Sequence, residues 1–371
     1  MSGRIPPEFI DELLARADIV EIVDSRVPLK KAGREYKGCC PFHDEKTASF
    51  TVSPGKQFYH CFGCGAHGTA IGFLMEYDHL GFREAIEELA SRYSMTIPET
   101  ASHEDDAERR KLADLYAALE AANKHFQQHL RENETAKNYL IERGLSGAIA
   151  ARYQLGFAMD SWDDLMNTLT AKHISTRTLD SAGLISSNDQ GRQYDKFRGR
   201  IMFPIHDQRG RIIAFGGRAL GDGEPKYLNS PETPVFHKGK ELYGLHQALS
   251  AISKQSQALV VEGYMDVIAL AQAGIENCVA ALGTATTPTH IERLYRQCNE
   301  IVFCFDGDRA GRQAAWRALE NALPSMRDGR QASFLFLPEG EDPDTYVRKL
   351  GKQGFVEQIK SQAQPLPEYL L

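Results

Sequence analysis

Three short runs of carboxylates, each closing an apolar stretch, are the residues whose spacing implies chemistry. Asp306-Gly307-Asp308 follows Ile301-Val302-Phe303-Cys304-Phe305. Glu262 follows Ala258-Leu259-Val260-Val261, with Asp266 four residues on. Glu339, Glu341, Asp342 and Asp344 follow Ala332-Ser333-Phe334-Leu335-Phe336-Leu337. Each apolar run reads as a buried strand. Helical stretches separate them, from His290 to Gln297 and from Arg312 to Leu323. Strand, helix, strand at this spacing predicts a parallel sheet with right-handed crossovers. The acids then share the edge where α/β proteins bind ligands. Carboxylates that close repel one another unless a cation lies between them. A lone Asp-x-Asp reads as well as a turn with solvated acids, whereas three acid clusters on one edge read as a metal site.

A second set of residues suits a different metal. Cys40-Pro41-Phe42-His43 and Cys61-Phe62-Gly63-Cys64 give the spacing C-x2-H-x17-C-x2-C. Two close pairs of sulfur and nitrogen ligands, each on a tight knuckle, close a tetrahedron around zinc. Gly63 and Gly65 let the knuckle turn so that its amides face thiolate sulfur. Between the pairs, Ser49 to Val52 and Gln57 to His60 read as short strands joined at Pro54-Gly55, which makes a zinc ribbon. Cys39 adjoins Cys40 and points the opposite way in an extended segment, so the spacing to His43 selects Cys40. His60 is read as a strand residue. Phe50, Phe58, Tyr59 and Phe62 are either base-stacking aromatics or the core of a small sheet.

A third region is basic. Between Arg192 and Arg218 stand seven basic residues (Arg192, Lys196, Arg198, Arg200, Arg209, Arg211, Arg218) and two acids (Asp195, Asp207). Ile201 to Ile205 and Arg211 to Gly217 read as strands joined at Arg209-Gly210. Arg198 and Arg200, two apart, would share a strand face. Lys226, Tyr227, Asn229 and Lys238 extend the surface. Basic residues interleaved with Tyr and Asn on a sheet suit single-stranded nucleic acid, against the alternative of a solvated charged face.

Glu262 and Asp306-x-Asp308, each after a strand, resemble the Toprim fold. The words Glu262-Gly263-Tyr264-Met265-Asp266 and Phe305-Asp306-Gly307-Asp308-Arg309-Ala310-Gly311 are similar to those of bacterial DnaG-type primases. Gly199-Arg200-Ile201-Met202-Phe203-Pro204-Ile205, Gly216-Gly217-Arg218 and the stretch from Pro225 to Thr233 resemble the same family, as does the Cys-Pro-Phe-His ribbon. The resemblance runs from about residue 5 to the end. It implies a DNA-directed RNA polymerase that makes short RNA primers on single-stranded DNA from ribonucleoside triphosphates. It implies Asp306 and Asp308 as ligands of two or more Mg²⁺ (or Mn²⁺) ions and Glu262 as ligand or proton acceptor, with Asp266, Asp342 and Asp344 as candidates to complete the site. Lys226 and Lys238 would face the cleft and neutralise phosphate. Arg198, Arg200, Arg218, Tyr227 and Asn229 would hold the template, and one structural zinc on Cys40, His43, Cys61 and Cys64 would support start-site recognition. A replicative helicase and a single-stranded DNA-binding protein are the implied partners. Family members carry a further C-terminal domain for the helicase, and the residues up to Leu371 do not include it.

The remaining composition fits. The 371 residues are 42% hydrophobic and 25% charged, with no apolar run long enough to span a bilayer and no signal-peptide core. A cytoplasmic place, at the nucleoid and replisome, is expected. The net charge of -7 excludes a globally basic nucleic-acid binder, so contact must be local. Four of the seven cysteines fall within the first 64 residues, which reads as metal, not disulfide. The expected architecture is α+β and α/β: a zinc ribbon over 1–100, a flexible linker over 101–111, a mixed α/β basic subdomain over 112–255, a Toprim parallel-sheet subdomain over 256–345, and a helical segment starting at 346–371. Two rivals stand: a Toprim nuclease or topoisomerase-like enzyme, and a non-catalytic zinc-bearing nucleic-acid scaffold. A topoisomerase needs a nucleophilic tyrosine on a further domain, and none of sufficient size flanks the Toprim segment.

Overall fold

The structure is a computed structural model that describes residues 5–78, 80–97, 103–221, 223–283 and 285–370. The chain divides after residue 109 into two compact units.

In the first unit, α1 (Pro7–Arg16) and α2 (Ile19–Asp24) precede the strands β1 (Lys30–Ala32), β2 (Glu35–Gly38), β3 (Phe50–Ser53), β4 (Phe58–Cys61) and β5 (His67–Gly68). These pair antiparallel in sequence order. The helices α3 (Ala70–Tyr77) and α4 (Phe82–Arg92) follow. Asp18 caps α2 by accepting from the Val20 amide at 2.8 Å. Phe50, Tyr59 and Phe73 are fully buried, and Phe50 stacks on Tyr59 with ring centres 5.2 Å apart. Two of the four aromatics weighed as base-stackers are therefore core, while Phe62 is 76% exposed.

The second unit begins within α5 (His103–Glu132). This corrects the expectation of a flexible linker over 101–111, because residues 103–111 are helical; residues 98–102 lie outside the described residues. In sequence the stretch spaces acids and bases four apart (Asp105 and Arg109, Asp106 and Arg110), a pattern that favours helix.

Next come α6 (Glu134–Glu142), α7 (Gly147–Arg152), β6 (Gly156–Ala158), α8 (Asp164–Ala171), α9 (Thr176–Ser181), and the paired strands β7 (Ile185–Ser187) and β8 (Gln193–Asp195). The strands β9 (Arg200–His206), β10 (Ile212–Ala219) and β11 (Tyr227–Asn229) complete an antiparallel sheet in the order β11-β10-β9-β6. Every residue of β9 and β10 is buried, because both faces are covered. Alternate side chains serve two cores: Ile201, Phe203 and Ile205 enter one, and Met202 enters the other with Phe126 of α5.

The remaining elements are α10 (Leu245–Gln255), β12 (Gln257–Val261), α11 (Tyr264–Gln272), β13 (Cys278–Ala280), α12 (Pro288–Tyr295), β14 (Glu300–Phe305), α13 (Arg309–Ala322), β15 (Gln331–Phe336), α14 (Pro343–Gln362), β16 (Gln364–Pro365) and α15 (Leu366–Tyr369). They build a sheet in the order β13-β12-β14-β15-β16, parallel except for β16. The three strands expected from the apolar runs lie side by side, with Phe303 and Phe334 stacked 5.2 Å apart in the core. At one border Tyr243 exchanges two backbone hydrogen bonds with Ala280 of β13, at 2.8 and 3.1 Å. At the other, Gln364 and Pro365 of β16 pair with Phe334 and Ser333. Among the described residues no helix is long and apolar enough to cross a membrane.

Candidate active site and metal centre

The C-terminal ends of β12, β14 and β15 converge on a cleft of about 470 Å³. Its walls include Glu262, Asp266, Asp306, Asp342 and Asp344, and opposite them Arg143, Arg218, Lys226, Tyr227 and Asn229. Five of the six expected carboxylates and four of the seven expected basic and polar residues thus meet in one place, while Asp308 is exposed and does not line the cleft.

Local structure explains why the acids stand there. In a parallel sheet each strand feeds a helix, whose N-terminus carries free amides and a positive dipole end. Asp308 caps α13, accepting from the Gly311 amide at 2.7 Å. Asp342 caps α14, accepting from the Thr345 amide at 2.7 Å. Asp266, on the first turn of α11, accepts from the Gly263 amide at 3.0 Å. The Asp306 amide donates to Glu262 Oε1 at 3.3 Å. Gly307 and Gly311 allow this closeness. A Cβ on Gly307 would lie 2.2 Å from the Leu337 carbonyl oxygen, and one on Gly311 would lie 2.2 Å from that of Asp306.

The electrostatics are strained. Burial, then the charges of Glu262, Asp342 and Asp308, push Asp306 up to about 7. Burial, then Asp342, Asp306 and Asp344, push Asp266 up to about 8. Desolvation by the cleft walls also raises Glu262, although that residue stands exposed at the mouth. Asp344 is buried and its pKa is raised by burial; Arg348 Nε lies 3.0 Å from one of its oxygens and Arg143 Nη1 3.8 Å from the other. Asp306 Oδ1 is buried with no hydrogen-bond partner. An oxygen-rich cluster that resists ionisation and leaves a lone pair unmet fits a hard divalent cation.

Other expected residues are placed differently. Arg198 precedes β9 and does not share a strand face with Arg200. Its guanidinium lies 3.9 Å from the ring centre of Trp162, which is 58% exposed. Arg200 is buried and donates to the Pro225 carbonyl at 2.7 Å. Arg218, also buried, bonds the Tyr227 hydroxyl. Asn229 accepts from the Tyr264 hydroxyl at 2.7 Å and donates to the Leu282 carbonyl at 3.1 Å, so its amide is engaged within the fold. Lys238 is not among the cleft residues; its charge, after burial, lowers the pKa of Lys196. Arg143 was missed by sequence reasoning. It sits one residue before a helix-ending glycine and carries no motif.

In the first unit, Cys40, His43, Cys61 and Cys64 place their ligand atoms within 4.8 Å of one another. Cys40 and Cys64 sulfurs are 3.7 Å apart, and Cys61 Sγ is 3.8 Å from His43 Nδ1. Zinc–sulfur bonds of about 2.3 Å give a tetrahedral edge of about 3.8 Å, so the donors fit zinc. The amides of Phe42, Gly63 and Cys64 point at thiol sulfurs at 3.4, 3.3 and 3.4 Å. Cys39 is exposed and outside the cluster. Glu45 was not foreseen. Its carboxylate lies 3.4 Å from His43 Nε2 and accepts from the Cys40 amide at 2.6 Å and the Ser49 amide at 3.1 Å. It thus orients two donors at once.

Comparison with known proteins agrees. A family described as CHC2 zinc finger matches residues 5–105, one described as DNA primase catalytic core, N-terminal domain, matches 125–249, and one described as Toprim-like matches 259–347. The zinc-finger match supports zinc in the first unit, and the Toprim match implies a divalent metal in the cleft. The DNA primase of Pseudomonas aeruginosa is 56% identical over 375 residues, covering 100% of this chain and 56% of that protein. A DnaG primase catalytic domain solved bound to ssDNA is 51% identical with a TM-score of 0.67, over 71% of this chain and 85% of that one. The Aquifex aeolicus primase, solved as its zinc-binding and RNA polymerase domains, is 36% identical with a TM-score of 0.64, over 100% of this chain and 88% of that one. The chain spans 56% to 64% of the length of the full primases it matches. With both metal-binding regions and the intervening core matched in order, the chain belongs to the DnaG-type primase family.

Proposed function

We propose that this chain synthesises short RNA primers on single-stranded DNA from ribonucleoside triphosphates. The observation that carries the reading is the cleft in which five carboxylates face Arg143, Arg218 and Lys226. Glu262, Asp306 and Asp308, with Asp266, Asp342 and Asp344 completing the site, would hold Mg²⁺, which suits all-oxygen donors that leave room for water and phosphate. Bound there, two ions would supply activation of the primer 3′-hydroxyl and charge neutralisation at the triphosphate. The chain's own residues do the positioning. Lys226 stands exposed at the cleft, where an ammonium can meet incoming phosphate. Arg143 and Arg218 add fixed positive charge to the same wall, and Lys238 extends it toward Lys196. Tyr227, half exposed beside Arg218, and Arg198 on Trp162 offer flat surfaces for template bases. Arg200 and Asn229 act by shaping that wall, through the carbonyls and hydroxyl they engage.

Cys40, His43, Cys61 and Cys64 hold one structural zinc in this proposal, with Glu45 behind His43. The place of action is the cytoplasm, at replication forks. Contacts with a replicative helicase and with a single-stranded DNA-binding protein are proposed without an assigned surface.

The test is direct. The chain is incubated with single-stranded DNA, Mg²⁺ and labelled ribonucleotides. Short labelled RNA that disappears with Asp306→Asn supports the proposal. Cleaved DNA without RNA moves the site to a nuclease, and neither product reduces it to a scaffold.

A further inference from the structure

Far along the chain from both metal-binding regions, α5 and α8 bring three donors together. His125 and His129 are four apart on α5 and so share one face. Asp164 opens α8. His125 Nε2 lies 2.8 Å and His129 Nε2 3.1 Å from Asp164 Oδ2, and the two nitrogens are 3.1 Å apart. The side chain of His125 is 7% exposed, that of His129 20% and that of Asp164 31%.

Hydrogen bonds alone cannot satisfy this triangle. If both rings carry their proton on Nε2, the carboxylate is served twice, but two N–H donors face each other across 3.1 Å. If one ring instead gives up that proton, it accepts from the other and the carboxylate loses a donor. A cation above the triangle removes the conflict, since all three atoms then act as donors to it. Bonds of about 2.0–2.1 Å make a tetrahedral edge of about 3.3 Å. The observed sides are therefore a few tenths of an ångström short of that, a change that small side-chain rotations supply. Burial lowers the His125 pKa, against the raising effect of Asp164 and with help from His129 and Lys172. Asp164 is the most exposed of the three side chains, so water reaches the cluster from its side.

We propose that His125, His129 and Asp164 form a second transition-metal site, for zinc or a similar first-row divalent ion. Two imidazoles and one carboxylate suit such ions better than Mg²⁺. Its occupancy ties the middle of α5 to the first turn of α8.

The test uses the full chain, stripped by chelator and dialysed into about 5 mM Mg²⁺ to fill the carboxylate cleft. Zinc bound per chain is then measured in the parent, His129→Gln and Asp164→Asn. The expected result is about two ions in the parent and about one in each variant. In parallel, zinc should slow carbethoxylation of His129 in the parent, read by mass spectrometry, which needs no variant to fold. One ion per parent chain at up to roughly 100 µM zinc overturns the proposal. So does a second ion that both variants retain, or a His129 reactivity that zinc leaves unchanged.

Discussion

The Asp306 amide donates to the Glu262 carboxylate at 3.3 Å, which ties the C-terminal ends of the neighbouring parallel strands β14 and β12 and brings two negative side chains into one cleft. The cost of that arrangement depends on pH. Folding raises Asp306 from 3.8 to about 7 and Asp266 from 3.8 to about 8. The folded chain then keeps protons that the unfolded chain has released. Stability from these groups is full below about pH 4 and is lost as pH rises through about 7 to 8. In chelator, Asp306→Asn should melt progressively higher than the parent as pH rises from about 4 to 8, and Mg²⁺ should narrow the gap at the upper end. A melting difference that does not vary with pH would show that Asp306 ionises freely.

Gly307→Ala should damage catalysis more than folding. The new Cβ meets the Leu337 carbonyl oxygen at 2.2 Å, so β14 must shift against β15 where Asp306 stands. Such overpacking costs about 1–3 kcal/mol. A displacement on the order of 1 Å at reacting groups costs roughly a hundredfold in rate. Melting curves and single-turnover primer synthesis measure the two effects, and a variant of parental rate would mean that the cleft geometry tolerates the shift.

Glu45→Gln should weaken the ribbon's hold on zinc while leaving all four donors in place. Carboxylates behind a ligating histidine contribute roughly 10–100-fold in metal affinity. Competition with a chromophoric chelator reads this affinity. Parental affinity in the variant would reduce Glu45 to a loop-former for Ser49 and Cys40.

Trp162→Ala and Arg198→Ala should separate stacking from charge. Losing a stacking platform costs about 1–3 kcal/mol per base, with little change in salt dependence. Losing one phosphate contact on a single strand lowers the log–log salt slope by about 0.7. Fluorescence anisotropy on single-stranded DNA at several salt concentrations measures both, and two variants with identical losses and slopes would show that the pair acts as one unit.

The apolar runs before Glu262, Asp306 and Asp342 revealed three strands and the edge on which the acids meet, because buried parallel strands leave an unmistakable pattern. The ribbon's donors were equally legible, since tetrahedral coordination demands close pairs. The three-residue β13 was invisible because it is too short to show a period. Arg143 was invisible because folding alone brings it to Asp344, and Glu45 because, though only two residues from His43, it is marked only by the turn that brings its carboxylate back onto the Cys40 and Ser49 amides. Charge counting over 192–218 overstated the free positive surface. Arg200 is spent on backbone carbonyls, Arg218 on Tyr227 and Arg211 on Asp207, whose carboxylate lies 2.7 Å away. Asp195, one of the two acids of the stretch, is buried and caps α8 through the amides of Leu165 and Met166.

The borders of the parallel sheet bear on how this protein behaves in a crowded solution. Parallel sheets assemble slowly from distant segments, and an open strand edge during or after that process invites a foreign strand. Here one border is occupied by Tyr243, bonded to Ala280 on both sides of its peptide. The other ends in a two-residue strand whose last member, Pro365, has no N–H to offer. Among the described residues both devices shorten the ladder that another molecule could extend, which works against aggregation of a strongly apolar sheet.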